Sequence, residues 1–231
     1  MTDIKLIAFD ADDTLWENEP FFTHAQDRFT NLLANYIEVE NMHDRLYATE
    51  KKNLSIFGYG AKSFTLSMIE TAIELSEGKI TGKEIQQIID FGKDLIQHPL
   101  EVLEGVEETL AALKGKYELM VLTKGDLFDQ EAKLARSGLA AFFDHVEIVS
   151  EKDEATYQQI FNRYKVKAED VLMIGNSLKS DILPMVALGA KAIHIPFHTT
   201  WVHELVDEKT LEGKEYHTVE NIRNIISLIN Q

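Results

Sequence analysis

Residues 9–16 read FDADDTLW and place three carboxylates, Asp10, Asp12 and Asp13, within four positions, directly after the apolar run Leu6-Ile7-Ala8. Like charges at that spacing repel, so the folded protein must hold something that offsets them. Residues two apart at a strand end point the same way, which lets Asp10 and Asp12 face one reacting centre. There one carboxylate can attack as a nucleophile while its neighbour, kept protonated by the like charge, serves as general acid. Asp13 reads as an ordinary turn or cap residue, since aspartate is common in turns and at helix N-caps.

Three more polar stretches carry matching chemistry. Thr123-Lys124-Gly125 follows the run YELMVL and offers a hydroxyl, a cation and a flexible backbone that together can hold a phosphate. Lys152 follows Val149 by three residues. After VLMI comes Gly175-Asn176-Ser177-Leu178-Lys179-Ser180-Asp181, whose oxygens suit a hard cation such as Mg2+. Taken singly, each has a plain structural explanation: a strand end, a solvated helix start, a helix cap. Taken jointly, four polar groups at the ends of apolar runs point to one site. His194, His198 and His203, in AIHIPFHTTWVHE, lack a ligand spacing of known pattern and read as structural or pocket-rim residues, with Trp201 as packing.

The elements that must position these groups follow from the apolar pattern. Residues 4–9, 117–122, 146–149, 171–174 and 190–195 are near-continuous apolar runs, as expected of strands buried on both faces of a parallel sheet. Helical periodicity lies between them. Val106, Leu110 and Leu113 share one face, as do Ile222, Ile225, Ile226 and Ile229. The pattern predicts a doubly wound, Rossmann-like α/β core. Residues 17–99 break the alternation and show only helical spacing: Phe22, Ala25, Phe29, Leu32 and Tyr36, then Leu66, Ile69 and Ile73, then Ile85, Ile88, Ile89 and Ile96. The expected organisation is a core of residues 1–16 and 100–231 with an all-helical insert over 17–99, closed by Pro99, which cannot continue a helix.

Composition narrows the function. The 231 residues, 45% hydrophobic and 27% charged, are enough to bury a sizeable core. A net charge of −16 argues against nucleic acid or an anionic membrane as partner, because the summed field repels both. The absence of cysteine excludes disulfides, thiolate zinc sites and a cysteine nucleophile. Met1-Thr2-Asp3-Ile4-Lys5 runs into the first apolar segment without a signal-peptide pattern, and no stretch reaches membrane-spanning length, so a cytoplasmic protein is expected. Oligomeric state is not legible.

In these motifs the chain resembles the haloacid dehalogenase-like hydrolase superfamily. Its DxDx[TV] motif is met by Asp10-Ala11-Asp12-Asp13-Thr14, its strand-end Ser or Thr by Thr123, its lysine by Lys152 and its acidic loop by residues 175–181. The helical insert matches the family's cap. The resemblance implies a Mg2+-dependent phosphatase acting on a small-molecule phosphate monoester. Asp10 is then the nucleophile that forms an aspartyl phosphate, and Asp12 the acid and base. Thr123 with the backbone at Lys124 and Gly125 binds the phosphoryl group, and Lys152 neutralises it. Asp10, the backbone carbonyl of Asp12, Asn176 and Asp181 form the implied metal set. Three carboxylates are then balanced by Lys152 and Mg2+. The cap supplies selectivity, and Lys62, in the Gly-rich stretch 56–64, is the expected contact for the leaving-group half of the substrate.

Two departures stand out. The acidic loop usually begins Gly-Asp, and here Asn176 holds the ligand position; Asp153 follows Lys152 where proline is frequent. Asp12 argues against a dehalogenase, whose halide leaving group needs no proton. A phosphomutase uses the same residues. A phosphorylatable receiver domain is shorter and has no helical insert, and a catalytically silent relative is expected to lack one of Asp10, Asp12 or Lys152.

Overall fold

The computed structural model describes residues 4–37 and 42–230. Met1, Thr2 and Asp3, part of the leaderless start expected above, lie outside the described residues. The chain divides into two compact units: Met1–Glu19, Leu100–Lys124 and Gln130–Gln231 form one, and Pro20–Pro99 with Gly125–Asp129 form the other.

The first unit is built on six parallel strands, β1 (Leu6–Phe9), β2 (Glu118–Lys124), β3 (His145–Val149), β4 (Val171–Gly175), β5 (Lys191–His194) and β6 (His217–Thr218), in the order β3-β2-β1-β4-β5-β6. The chain builds outward from β1 in one direction and returns to build from β4 in the other. The carboxyl ends of β1 and β4 therefore flank the point where the winding reverses, the place at which open α/β sheets bind ligands. Alternation explains the two cores. Ile7, Phe9, Leu119, Val121, Leu172 and Ile174 face one side with the buried residues of two helices, Val106–Leu113 and Ile225–Ile229. Leu6, Ala8, Met120, Leu122, Val171 and Met173 face the other with Tyr157, Ile160 and Phe161 of the helix Glu154–Tyr164. Burying each large side chain contributes about 1.5–3 kcal/mol, so the central strands are the rigid base of the unit. β6 is only two residues long and exposed, which is why no apolar run announced it.

Among the described residues the regular elements of the second unit are all helices: α1 (Glu19–Leu33), α2 (Met42–Phe57), α3 (Ala61–Leu75) and α4 (Gly82–Gln97). Later helices are α5 (Val106–Leu113), α6 (Leu127–Ser137), α7 (Glu154–Tyr164), α8 (Leu183–Ala187), α9 (Glu208–Leu211) and α10 (Ile225–Ile229). α4 starts at a full capping box between Thr81 and Glu84. The expected face of α3 needs correction. Leu66 and Ile73 are exposed, while Ala61, Phe64, Met68 and Ala72 are buried with Ser63, Ser67 and Thr71. Small polar residues lie on the packed face because the helices approach closely there. A methyl group on Gly92 of α4 would meet Thr65 Oγ1 of α3 at 1.9 Å. Among the described residues no helix is long and apolar enough to cross a membrane.

Candidate active site

After β1 the backbone turns back on itself: the Ala11 carbonyl accepts from the N–H groups of Thr14 and Leu15. Asp13 sits at φ 61°, in the left-handed region where aspartate is tolerated better than most residues. Its carboxylate accepts from the backbone N–H groups of Asn18 and Glu19, at 2.8 and 3.1 Å, and so caps the start of α1. Burial, with the neighbouring Asp12 charge, pushes its pKa up to about 7.

Asp10 follows the last residue of β1, and its N–H continues the ladder to the Ile174 carbonyl at 2.9 Å. Lys152, just past β3, reaches it: Lys152 Nζ lies 2.5 Å from Asp10 Oδ1 and 2.6 Å from Asp181 Oδ1, and all three residues are buried. Two carboxylates thus share one ammonium, leaving one negative charge in excess. Burial and the Asp181 charge raise the Asp10 pKa to about 7 despite Lys152. Burial works against the Lys152 charge, but Asp10 and Asp181 outweigh it and raise its proton affinity above that of an ordinary lysine.

Asp12 is held differently. It accepts from Trp16 Nε1 at 2.7 Å, Gln130 Nε2 at 2.7 Å, and Lys133 Nζ at 3.0 and 3.2 Å to its two oxygens. Burial acts to raise its pKa, but the Lys133 charge and these donors outweigh it and hold the carboxyl below the ordinary aspartate range. The expectation that like charge keeps Asp12 protonated is therefore corrected: Asp10 carries the raised pKa, because it is buried and shares Lys152 with Asp181, whereas Lys133 and the other donors hold Asp12 low. Lys133 also donates to Asn18 Oδ1 at 2.8 Å.

Asn176 lies one residue past β4, and its Oδ1 accepts from Thr14 Oγ1 at 3.3 Å; the same hydroxyl is 3.2 Å from Asp10 Oδ2. The loop then makes a π-helical turn over Leu178–Ile182, a rare geometry frequent at functional sites. Asp181 Oδ2 accepts the Ser177 N–H at 2.9 Å, and a methyl group on Gly175 would stand 2.2 Å from that oxygen, so only glycine permits the approach. From below, Tyr157 donates its hydroxyl to the Ser180 carbonyl at 2.6 Å. His194 Nε2 lies 3.0 Å from the Asn176 carbonyl. His198 packs on Phe197 and His203 on Trp201.

Thr123 and Lys124 end β2, with Thr123 buried, and Gly125 opens the stretch Gly125–Asp129 that belongs to the second unit. The Lys124 side chain turns to Glu204 Oε1 at 2.7 Å and Ser180 Oγ at 3.1 Å. Lys62 lies in the second unit, where it pairs with Asp126 at 2.8 Å and stands 5.4 Å from the centre of the Phe128 ring.

Of the residues singled out from sequence, Asp10, Lys152 and Asp181 are in direct contact and Asn176 joins them through Thr14. Asp12, Lys124 and Lys62 each have separate partners. Gln130, Lys133 and Glu204 were not anticipated. For the first two a signal existed, since a glutamine and a lysine three apart share the helix face that carries buried Leu134. Lys133 changes the charge count. It balances Asp12, so a dication added beside Asp10 and Asp181 would leave the group one charge positive, not neutral as expected from sequence.

The donor set suits a hard cation. Asp10 and Asn176 present oxygens to one hydroxyl, the local charge is negative in excess, and no cysteine or ligating histidine intrudes. Among the described residues no three His, Cys, Asp or Glu side chains gather for a metal, so a bound ion would draw on the Asn176 amide and a backbone carbonyl as well.

The model of the haloacid dehalogenase-like hydrolases matches residues 4–189, and the chain belongs to that family. It is 26% identical to a glyceraldehyde 3-phosphate phosphatase of Pyrococcus furiosus over 226 residues, 94% of this chain and 88% of the relative. It is 29% identical to a phosphoglycolate phosphatase of Vibrio parahaemolyticus over 203 residues, 84% of this chain and 85% of the relative. The crystal structure of a haloacid dehalogenase-like family hydrolase from Xanthomonas campestris superposes with a TM-score of 0.88 at 40% identity, covering 99% of this chain and 91% of that one.

Proposed function

We propose that the protein is a Mg2+-dependent phosphatase that hydrolyses a small-molecule phosphate monoester through an aspartyl phosphate on Asp10. The observation that carries this reading is Lys152 bridging Asp10 and Asp181 at the mouth of the sheet, with an unbalanced negative charge beside it. Both curated relatives act on small phosphorylated metabolites by name, which agrees with the phosphate class.

Asp10 attacks phosphorus in line, and the P–O bond to the ester oxygen breaks as that oxygen takes a proton from Asp12. Water then attacks the aspartyl phosphate and frees Asp10. Asp12, lowered in pKa by Lys133, Gln130 and Trp16, is suited to take the proton from that water, and the proton so gained is the one it gives to the leaving oxygen in the next turnover. Thr123 and the backbone at residues 124–125 would bind the phosphoryl oxygens, and Lys152 would offset their charge. Asp10, the Asp12 carbonyl, Asn176 and Asp181 would hold Mg2+, which when bound neutralises phosphate charge. The helical unit is the proposed cap, with Lys62 as its contact to the leaving group.

The test is phosphate release from a panel of phosphorylated metabolites with Mg2+ present. Asp10→Asn should abolish turnover with the fold retained by circular dichroism. Turnover near the wild-type level on any panel member would reject the nucleophile.

A further inference from the structure

Glu204 lies in the 3-10 turn Val202–Glu204, beyond β5, and no motif points to it. Its carboxylate nevertheless joins the ends of two strands. Oε1 pairs with Lys124 Nζ at the end of β2 at 2.7 Å, and Oε2 accepts from Ser180 Oγ at 2.6 Å and from Ser177 Oγ, both in the loop after β4. Lys124 Nζ itself reaches Ser180 Oγ at 3.1 Å, and Glu151 Oε1 stands 3.6 Å from it. Ser177 Oγ also accepts the Ser180 N–H at 2.9 Å and so caps the π-helical turn that delivers Asp181. The Lys124 and Glu204 side chains are each 12% exposed. A carboxylate buried beside a site for a dianion is costly unless it has a task there.

We propose that Glu204 is a positioning residue for this site: it ties Lys124 to the Ser177–Ser180 turn, and it holds the Lys124 ammonium in a neutral pair, so that Glu204 limits the attraction of this lysine for phosphate. Resting on the phosphatase reading above, the inference adds a function for the pairing. Lys124 lies next to Thr123, the proposed phosphoryl contact. With a full charge there it would retain the product dianion along with the substrate; with Glu204 opposite, that excess attraction is removed and inorganic phosphate leaves more readily.

The experiment measures the Kd of inorganic phosphate by calorimetry on the full chain with Mg2+, beside its Ki against turnover. Glu204→Gln keeps the shape of the side chain and loses its charge, and should tighten both constants threefold or more. Glu204→Asp retains the charge and should stay near wild type. The double variant Lys124→Met/Glu204→Gln, which removes both charges of the pair, should return both constants to near the wild-type values. Glu204→Ala, which also removes the charge, gives the same reading if the amide disturbs the turn. A purely structural role would lower the melting temperature and the active fraction without tightening phosphate. Unchanged or weaker phosphate binding in the charge-removing variants overturns the proposal. If Asp10→Asn retains turnover, the phosphatase reading falls; if Asp10→Asn is inactive and phosphate binding does not respond to Glu204, only the inference about Glu204 falls.

Discussion

Lys133 is the strongest lever on this site that the motifs do not name. Its ammonium is 4% exposed and lies 3.0 Å from Asp12, itself 21% exposed. Replacing it with methionine fills most of the volume but leaves a carboxylate surrounded by Trp16, Gln130 and the charges of Asp10 and Asp13. Removing one partner of a fully buried ion pair costs about 3–5 kcal/mol. The partial exposure of Asp12 and its two remaining donors reduce this, so Lys133→Met should cost about 2–4 kcal/mol in urea unfolding. The melting temperature should fall by roughly 5–15 °C for a chain of this size. The decisive measurement is a double-mutant cycle. Asp12→Asn alone leaves a buried lysine without its carboxylate partner and should cost a similar amount, whereas the double variant removes both charges. Its loss should be smaller than the sum of the single losses by on the order of 2 kcal/mol. Additivity within about 0.5 kcal/mol, or a Lys133→Met loss below about 1 kcal/mol, would refute the reasoning that Asp12 depends on this cation.

Glu204 predicts an acid-sensitive contribution to stability. Burial opposes its charge, but Lys124, Ser177 and Ser180 outweigh it and lower its pKa from 4.5 to about 2. Because the folded value lies below the unfolded one, the stabilisation is complete above pH 4.5 and is lost as pH falls toward 2. At about 1.4 kcal/mol per pH unit it amounts to about 3 kcal/mol. The stability gap between wild type and Glu204→Gln, read by urea titration, should therefore be widest near pH 7 and close by pH 2–3; a gap that is constant with pH would contradict it. Gly175→Ala places a methyl group where Asp181 Oδ2 stands, so Asp181 must move off Lys152: activity should drop at least tenfold, with about 1–3 kcal/mol lost from stability, and an active, stable variant would show that the approach is not required.

How far the sequence carried the argument depends on what each feature leaves in the amino-acid order. β1, β2, β4 and β5 were legible because strands buried on both faces must be apolar throughout. β3 was legible although it lies at the sheet edge with Val146 exposed, and β6, two exposed residues, had no apolar signature to leave. In α3 the periodicity was correct and the packed face was not, because close helix contact there uses Ala61, Ser63, Ser67 and Ala72, which score as neither core nor surface. The strand-end residues Asp10, Thr123, Lys152 and Asn176 could be read because each follows an apolar run. Lys133 left only the weaker signal of a polar residue on a buried helix face and Glu204, in an irregular turn, left none, and each has a contact 80 or more residues away.

Asn176 shows why those distant contacts matter to the chemistry. From motifs alone, an amide in place of the usual aspartate merely makes the metal position less negative, bringing carboxylates, Lys152 and Mg2+ to balance. With Lys133 counted, Asp12 is already neutralised, and on the proposed reading the group of Asp10, Asp181 and Lys152 loaded with Mg2+ would carry a net positive charge, with the Lys124–Glu204 pair neutral beside it. The amide would then keep that charge available to a phosphate dianion in a protein whose overall field, at −16, opposes it. Asn176→Asp cancels it. The variant should need less Mg2+ for half-maximal activity, because an anionic ligand replaces a neutral one, and should show a higher KM for phosphate ester at saturating metal, because the attraction is gone. Titrating activity against Mg2+ and against substrate separates the two effects. A metal requirement that is unchanged or higher would mean that the residue 176 side chain is not a ligand, and a lower requirement with an unchanged KM would mean that the positive charge does not reach the phosphate.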